Sequence, residues 1–313
     1  MSVKKYILIL LVFALAGCSS TPTVTSTEQV AVVESTDISV TDGMGTTVEL
    51  DQPATRIVSL SPSVTEILFA INAGDQLVGR EDNSTYPDQA LDVTSVGSLY
   101  GELPSETILA LEPDLVVAGE IINAEQVQAL QALGLTVFWQ SNPIDFDGLY
   151  KNITDLGTLS GHSKQSETLI NDLESRVTAV TEKLSGVDDK PKVFYEMDGT
   201  DPSNPWTSGS GTFIDYIINM AGGTNVTSDL VNYAQISTED LITRNPDVIL
   251  LGDALYGTTP ESVAARPGWE VMKAVGSSSI YPIDPFTLSV PGPRLVDGLE
   301  EAARLIHPEL FVE

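Results

Sequence analysis

From residue 38 onward, two apolar patterns alternate along the chain. Short runs that are apolar throughout or nearly so read as buried strands: RIVSL at 56–60, DQLVG at 75–79, DLVVAG at 114–119, TVFW at 136–139, KVFYEM at 192–197, DVILLG at 247–252 and SSIYPID at 278–284. Between them lie segments with helical spacing. Ser63 and Glu66 fit the S-x-x-E pattern of a capping box that opens the helix VTEILFAINAG. ETILALEP is a short helix closed by Pro113, and AEQVQALQALG is one that ends at Gly134. TFIDYIINMAGG, TEDLITRNP and a closing segment from Pro293 to His307 complete the series. Ahead of all these, ISVTDGMGTTVEL alternates apolar and polar residues about Asp42-Gly43-Met44-Gly45, which predicts a hairpin. Strands alternating with helices imply βαβ units and mainly parallel sheets.

One segment breaks the alternation. SKQSETLINDLESRVTAVTEKLSG (163–186) carries no Gly or Pro until its end, and Leu169, Ile170, Leu173, Val177, Val180 and Leu184 step by three or four. This predicts a single amphipathic helix of about six turns, roughly 30–35 Å long. The chain therefore divides into two α/β halves joined by a long helix. Each half contains a version of one sentence: SETILALEPDLVVAG (105–119) and TEDLITRNPDVILLG (238–252) align without a gap. Glu106 pairs with Glu239, Pro113 with Pro246, Asp114 with Asp247 and Gly119 with Gly252, each 133 positions apart.

The first residues follow another logic. Lys4 and Lys5 precede the apolar run YILILLVFALA, which is too short to span a bilayer and fits a secretory signal. The run leads into Leu15-Ala16-Gly17-Cys18, which resembles the bacterial lipobox, where cleavage leaves a lipidated cysteine at the new N-terminus. Residues 1–17 are thus expected to be a signal peptide. Residues 18–36, rich in Ser and Thr, are expected to be a lipid-bearing tether. Cys18 is the sole cysteine, so no disulfide or Cys-based metal site is expected. The remaining spans are an N-terminal lobe at 37–160, a linker helix at 161–188 and a C-terminal lobe at 189–313. The expected location is the outer face of the cell membrane, held by lipid.

Charge and residue counts narrow the function. The formal net charge is −29, with 44 acidic residues against 15 Lys and Arg, which argues against nucleic acid as a partner. Only His162 and His307 are present, too few for an importer of free zinc or manganese, and their places, at the start of the long helix and near the C-terminus, make a Ser-His-Asp triad hard to build. TSGSGT at 207–212 does not fit the nucleophile elbow G-x-S-x-G, so an extracellular hydrolase is the weaker, rival class.

The residues that carry a wider resemblance are IVSLSPSVTEILFA, the repeated helix–strand unit, NPWTSGSGTFIDYIINMAGGTN, RPGWEVMKAVGSSSIYPID and PGPRLVDGLEEAARLIHP. In order and spacing, over roughly 38–310, they resemble the substrate-binding lipoproteins of ABC importers for cobalamin, ferric siderophores and haem. The resemblance implies a monomeric, non-enzymatic, two-lobed protein with its ligand in a cleft between the lobes and little lobe closure. It further implies that Glu106 and Glu239 dock into the two halves of a dimeric permease. Both also suit the first turn of a helix, where the dipole favours a carboxylate. A two-fold permease presents two like patches to two like anchors.

By the same resemblance, cleft candidates are Ser61, Pro62 and Ser63 after the first strand, and the loop aromatics Tyr86, Tyr100, Trp206 and Phe286. Arg80, Arg266 and Arg294 are candidates for meeting an anionic chelate, with Arg80 the more open to ligand. Two departures bear on the ligand: cobalamin binders often carry an aromatic where this chain has Gly119, and often Trp where it has Tyr100. Cobalamin or a related corrinoid is the first expectation, ahead of a ferric siderophore and then haem. No resident cofactor is expected.

Overall fold

A computed structural model describes residues 38–311. The signal peptide, Cys18 and the tether expected at 18–36 lie outside the described residues.

The chain opens with an antiparallel hairpin, β1 (Ile38–Thr41) and β2 (Thr47–Leu50). Its turn is tied by Asp42, whose Oδ1 accepts the backbone N–H groups of Met44 at 2.9 Å and Thr46 at 2.8 Å. The N-terminal lobe follows: β3 (Ile57–Leu60), α1 (Pro62–Ala70), β4 (Leu77–Glu81), β5 (Ser95–Gly97), α2 (Ser105–Ala110), β6 (Leu115–Ala118), α3 (Ala124–Ala132), β7 (Val137–Trp139) and α4 (Phe146–Ser160). Its five strands form a parallel sheet in the order β5-β4-β3-β6-β7. All four residues of β3 and of β6 are buried, as a sheet covered on both faces requires. Then comes α5 (Ser163–Lys183), the long helix, 21 residues without interruption.

The C-terminal lobe comprises β8 (Lys192–Glu196), β9 (Trp206–Ser208), α6 (Phe213–Met220), β10 (Thr224–Asn225), β11 (Tyr233–Gln235), α7 (Thr238–Arg244), β12 (Val248–Leu251), α8 (Pro260–Ala264), α9 (Lys273–Gly276), β13 (Ile280–Pro282), α10 (Phe286–Ser289) and α11 (Leu295–Ile306). Four of its strands make a second parallel sheet, β10-β8-β12-β13, and β9 pairs antiparallel with β11 beside it. The fold is α/β, with two lobes built on parallel sheets and joined through α5.

The repeated sentence is one structural unit used twice. In each lobe the short helix leads into a strand that pairs in parallel with the lobe's first sheet strand, β6 with β3 and β12 with β8. The repeated Asp performs the same task each time. Asp114 accepts the backbone N–H groups of Thr55 at 2.8 Å and Arg56 at 3.0 Å, just before β3. Asp247 accepts the N–H of Lys192, the first residue of β8, at 2.9 Å. The repeated glycines mark crowding at the far end of the same strands. A Cβ on Gly119 would sit 2.9 Å from Ser61 Cβ, and one on Gly252 would collide with the Tyr195 hydroxyl.

One expectation fails at α1. Ser63 and Glu66 form no capping box there. The N-cap is Ser61, without a side-chain cap, and Pro62 occupies the first helical position, where its missing N–H costs nothing. Glu66 pairs instead with Arg294, which immediately precedes α11 in the other lobe. A continuous apolar core also runs between the lobes, including Val64 and Ile67 of α1, Phe146 and Leu149 of α4, and Ile217 and Leu299 beyond. The ring of Phe146 packs edge-on against Phe213 and Tyr216 of α6, with centroids 5.4 and 5.6 Å away.

Candidate functional site

Parallel strands leave their C-terminal ends open to loops, and in α/β sheets ligands bind in that crevice. Here the loops that follow β3, β4, β5, β6 and β7 meet those that follow β9, β12 and β13. Between them lie two adjoining cavities of about 420 Å³ and 430 Å³, each within the range of small-molecule sites. They share Glu120, Asn142, Ser289 and Pro291, so these four stand at the junction.

The N-terminal side of the first cavity is built by Ser61, Pro62 and Ser63, with Tyr100 and Gly119 nearby. The Ser61 and Ser63 hydroxyls bond to each other at 2.9 Å, and Ser61 fills the space a side chain on Gly119 would need. A side chain at Gly119 would therefore crowd Ser61 and require it to shift. Opposite are Tyr256 and Phe286 from the C-terminal lobe. In the second cavity, Thr212, Asn232 and Tyr233 face Pro143 and Ile144. Tyr100 and Tyr256 are 76% and 77% exposed, large aromatic faces left open at the mouth.

Polar groups in the cleft are carboxylates, amides and hydroxyls, the last able to donate as well as accept. Glu120 is held by Asn142, whose backbone N–H donates to Oε1 at 2.9 Å and whose Nδ2 donates to Oε2 at 3.0 Å. Glu81, only 2% exposed, lies on the same wall. Its oxygens accept the N–H of Asn83 at 2.8 Å and the Ser84 hydroxyl at 2.7 Å. The Tyr233 hydroxyl is pushed up by burial and, secondarily, by the charge of Glu120. Among the described residues, no Lys, Arg or His lines either cavity.

The structure brings Ser61, Pro62, Ser63, Tyr100 and Phe286 to the cleft and places the other candidates elsewhere. Arg80 is buried, contrary to the expectation that it is open. Its Nε donates to the Ala90 carbonyl at 2.8 Å, and Nη1 donates to the carbonyls of Glu81 and Asp82 at 3.1 and 3.3 Å. Arg294 is held by Glu66 and covered by the Tyr86 ring, whose centroid lies 3.9 Å from the guanidinium carbon. Tyr86 and Arg294 line a smaller cavity of about 180 Å³ against α5. Trp206 starts β9, lines neither cleft cavity and is 39% exposed. Glu81, Glu120, Asn142, Tyr233 and Tyr256 were not candidates in the sequence, although Glu120 and Tyr256 each follow a legible strand. Glu106 and Glu239 both sit exposed in the first turn of their helices, α2 and α7, and neither makes an ion pair among the described residues.

Comparison with known proteins gives a consistent picture. A family model described as a periplasmic binding protein matches residues 57–286. The chain is 31% identical over 311 residues to an uncharacterized ABC transporter substrate-binding lipoprotein, YvrC, of Bacillus subtilis, covering 98% of this chain and 97% of that one. It is 28% identical over 274 residues to a cobalamin-binding protein of Halobacterium salinarum, covering 85% of this chain and 73% of the relative. Among solved structures, the periplasmic heme-binding protein RhuT from Roseiflexus sp. RS-1 in apo form aligns with a TM-score of 0.72 at 27% identity. That alignment covers 82% of this chain and 99% of RhuT.

Proposed function

This chain belongs to the periplasmic binding protein family and is a non-enzymatic substrate-binding protein of an ABC importer, and we propose that the ligand it captures is cobalamin or a related corrinoid. The observation that carries this reading is the cation-free cleft. A corrinoid is a wide macrocycle edged with amides, which donate hydrogen bonds and carry no charge. Glu81, Glu120 and Asn142 offer acceptors to such an edge, and Tyr100, Tyr256 and Phe286 offer apolar faces. Haem carries two carboxylates, and anionic ferric chelates need basic partners. The candidate arginines are engaged elsewhere: Arg80 with backbone carbonyls, Arg266 with Glu196 and Arg294 with Glu66. The name of the Halobacterium relative supports the same ligand. A neutral or cationic ferric siderophore is the second reading, because the same wall does not repel it.

Delivery follows from the family. Glu106 and Glu239 are the proposed contacts with the two permease halves, and lipid on Cys18 is the proposed anchor on the outer face of the membrane. Calorimetric titration with cyanocobalamin, neutral and anionic ferric siderophores, and haemin tests the ligand. One-to-one binding of cyanocobalamin tighter than any other member of the panel is expected. Tighter binding of a ferric chelate or of haemin overturns the corrinoid assignment.

A further inference from the structure

We propose that Glu120, locked in place by Asn142, is the selectivity residue of the cleft: a fixed acceptor that favours ligands edged with N–H donors and repels those edged with carboxylates. This rests on the corrinoid reading and names the residue that enforces it. Three observations converge on this carboxylate. It lies where the two cavities join, so a ligand large enough to enter both must pass beside it. Both its oxygens are oriented by one partner, Asn142, from the loop after the neighbouring strand. Each oxygen therefore keeps lone-pair capacity for a ligand donor while the side chain itself is held still. Finally, no Lys, Arg or His among the described residues lines either cavity to neutralise it, and Glu81 adds a second carboxylate to the same wall.

The geometry explains why a fixed carboxylate discriminates. Hydrogen bonds to a charged acceptor are worth more than those to a neutral one, so amide donors gain directly. A ligand carboxylate brought near Glu120 meets a like charge with no cation beside it, and the repulsion makes the ligand stand off. Tyr233 of the opposite lobe lines the same second cavity as Glu120, so this carboxylate faces both walls of the cleft. Glu120→Gln removes the charge and, because its NH2 cannot accept, one of the two Asn142 bonds, whereas Asn142→Ala keeps the charge and the backbone N–H bond and removes only the side-chain bond.

The test is titration of wild type, Glu120→Gln and Asn142→Ala with cyanocobalamin and with haemin. Wild type is expected to prefer cyanocobalamin. Glu120→Gln should lower the ratio of cyanocobalamin to haemin affinity by roughly tenfold or more, through weaker cyanocobalamin and stronger haemin binding. Asn142→Ala should weaken cyanocobalamin binding while haemin stays weak. If wild type prefers cyanocobalamin but Glu120→Gln keeps the ratio within about twofold, the inference fails and the corrinoid reading stands. If wild type binds haemin at least as tightly as cyanocobalamin, or binds neither, both fail together.

Discussion

Glu66 and Arg294 lie 228 residues apart in sequence and clasp each other across the two lobes, with Arg294 Nε donating to Glu66 Oε2 at 3.1 Å and Nη2 to Oε1. Glu66 is buried in α1, Arg294 is mostly buried at the start of α11, and the Tyr86 ring covers the guanidinium. Burial pushes the Glu66 carboxyl up more than Arg294 pulls it down. A pair this enclosed is costly to break from one side, because the remaining charge is left without a partner. Glu66→Ala and Arg294→Ala are each expected to destabilise the protein by about 2–4 kcal/mol. The double variant should lose clearly less than the sum. Urea unfolding of all four proteins measures this, and strictly additive losses would show that the two residues act independently.

The C-terminal lobe holds a deeper pair. Glu196 is fully buried at the end of β8, and Arg266, stacked 4.5 Å over Trp269, donates to Glu196 Oε1 at 2.8 Å through Nη2. Burial pushes the Glu196 carboxyl up, against the pull of Arg266 and with help from Asp253 and Asp198. Raised in the folded state, this group binds more protons folded than unfolded, so its contribution to stability falls as pH rises through the carboxylate range. Arg266→Ala deletes the opposing pull and widens the gap. Its cost should be about 3–5 kcal/mol near neutral pH and smaller near about pH 5, where Glu196 can accept a proton. Urea unfolding of wild type and variant at both pH values checks the sign. Equal losses at the two pH values would mean that Glu196 does not carry the charge.

Much of this architecture is legible in the sequence because parallel strands buried on both faces write unbroken apolar runs, as at Ile57–Leu60 and Val248–Leu251. The long helix is legible because nothing interrupts its period. α4 escapes notice because Gly148 and Gly157 interrupt its apolar stripe, although Asp145 caps its start through the N–H of Gly148 and Gly161 ends it in the left-handed region. Gly157 is there because the Ser166 hydroxyl of α5 occupies the place of a side chain. The strands β9 and β11, three residues each, are too short to show a period. In the site, the residues directly after strands could be named, but what each arginine faces could not. Arg80, Arg266 and Arg294 are all candidates for an anionic ligand by residue type, and only the tertiary structure shows each of them engaged with other groups. The S-x-x-E at Ser63 misleads for the same reason: Arg294 lies far along the chain and competes successfully for Glu66.

The two repeated glutamates offer a separation of functions. Glu106 and Glu239 are exposed and outside the cleft, so neither touches the proposed ligand. Glu106→Ala with Glu239→Ala should leave cyanocobalamin affinity within about twofold and weaken binding to the permease, read as loss of uptake in cells and of capture by the permease in membranes. Each single variant should retain part of the activity, because the other anchor remains. Unimpaired uptake by the double variant would remove the docking role. Lost cyanocobalamin binding would instead assign these residues to the ligand site.

The aromatic residues provide the sharpest contrast between residue type and position. Trp206 is the larger side chain and sits in a polar loop region, which makes it the natural anchor from sequence. Tyr256 follows β12 and lines the first cavity together with Tyr100 and Pro62. Binding energy concentrates where an aromatic becomes desolvated against the ligand, so position outranks size. Tyr256→Ala is expected to weaken cyanocobalamin binding by about 2 kcal/mol, roughly thirtyfold. Trp206→Ala should cost less than about 0.5 kcal/mol, because the wild-type ring lines neither cavity and its loss changes only the exposed start of β9. Tyr256 is mostly exposed, so its variant should also keep wild-type stability, and parallel thermal unfolding separates a lost contact from a damaged fold. The reverse ranking, with Trp206→Ala the more damaging, would place the ligand over β9 and β11 rather than between Tyr100 and Tyr256.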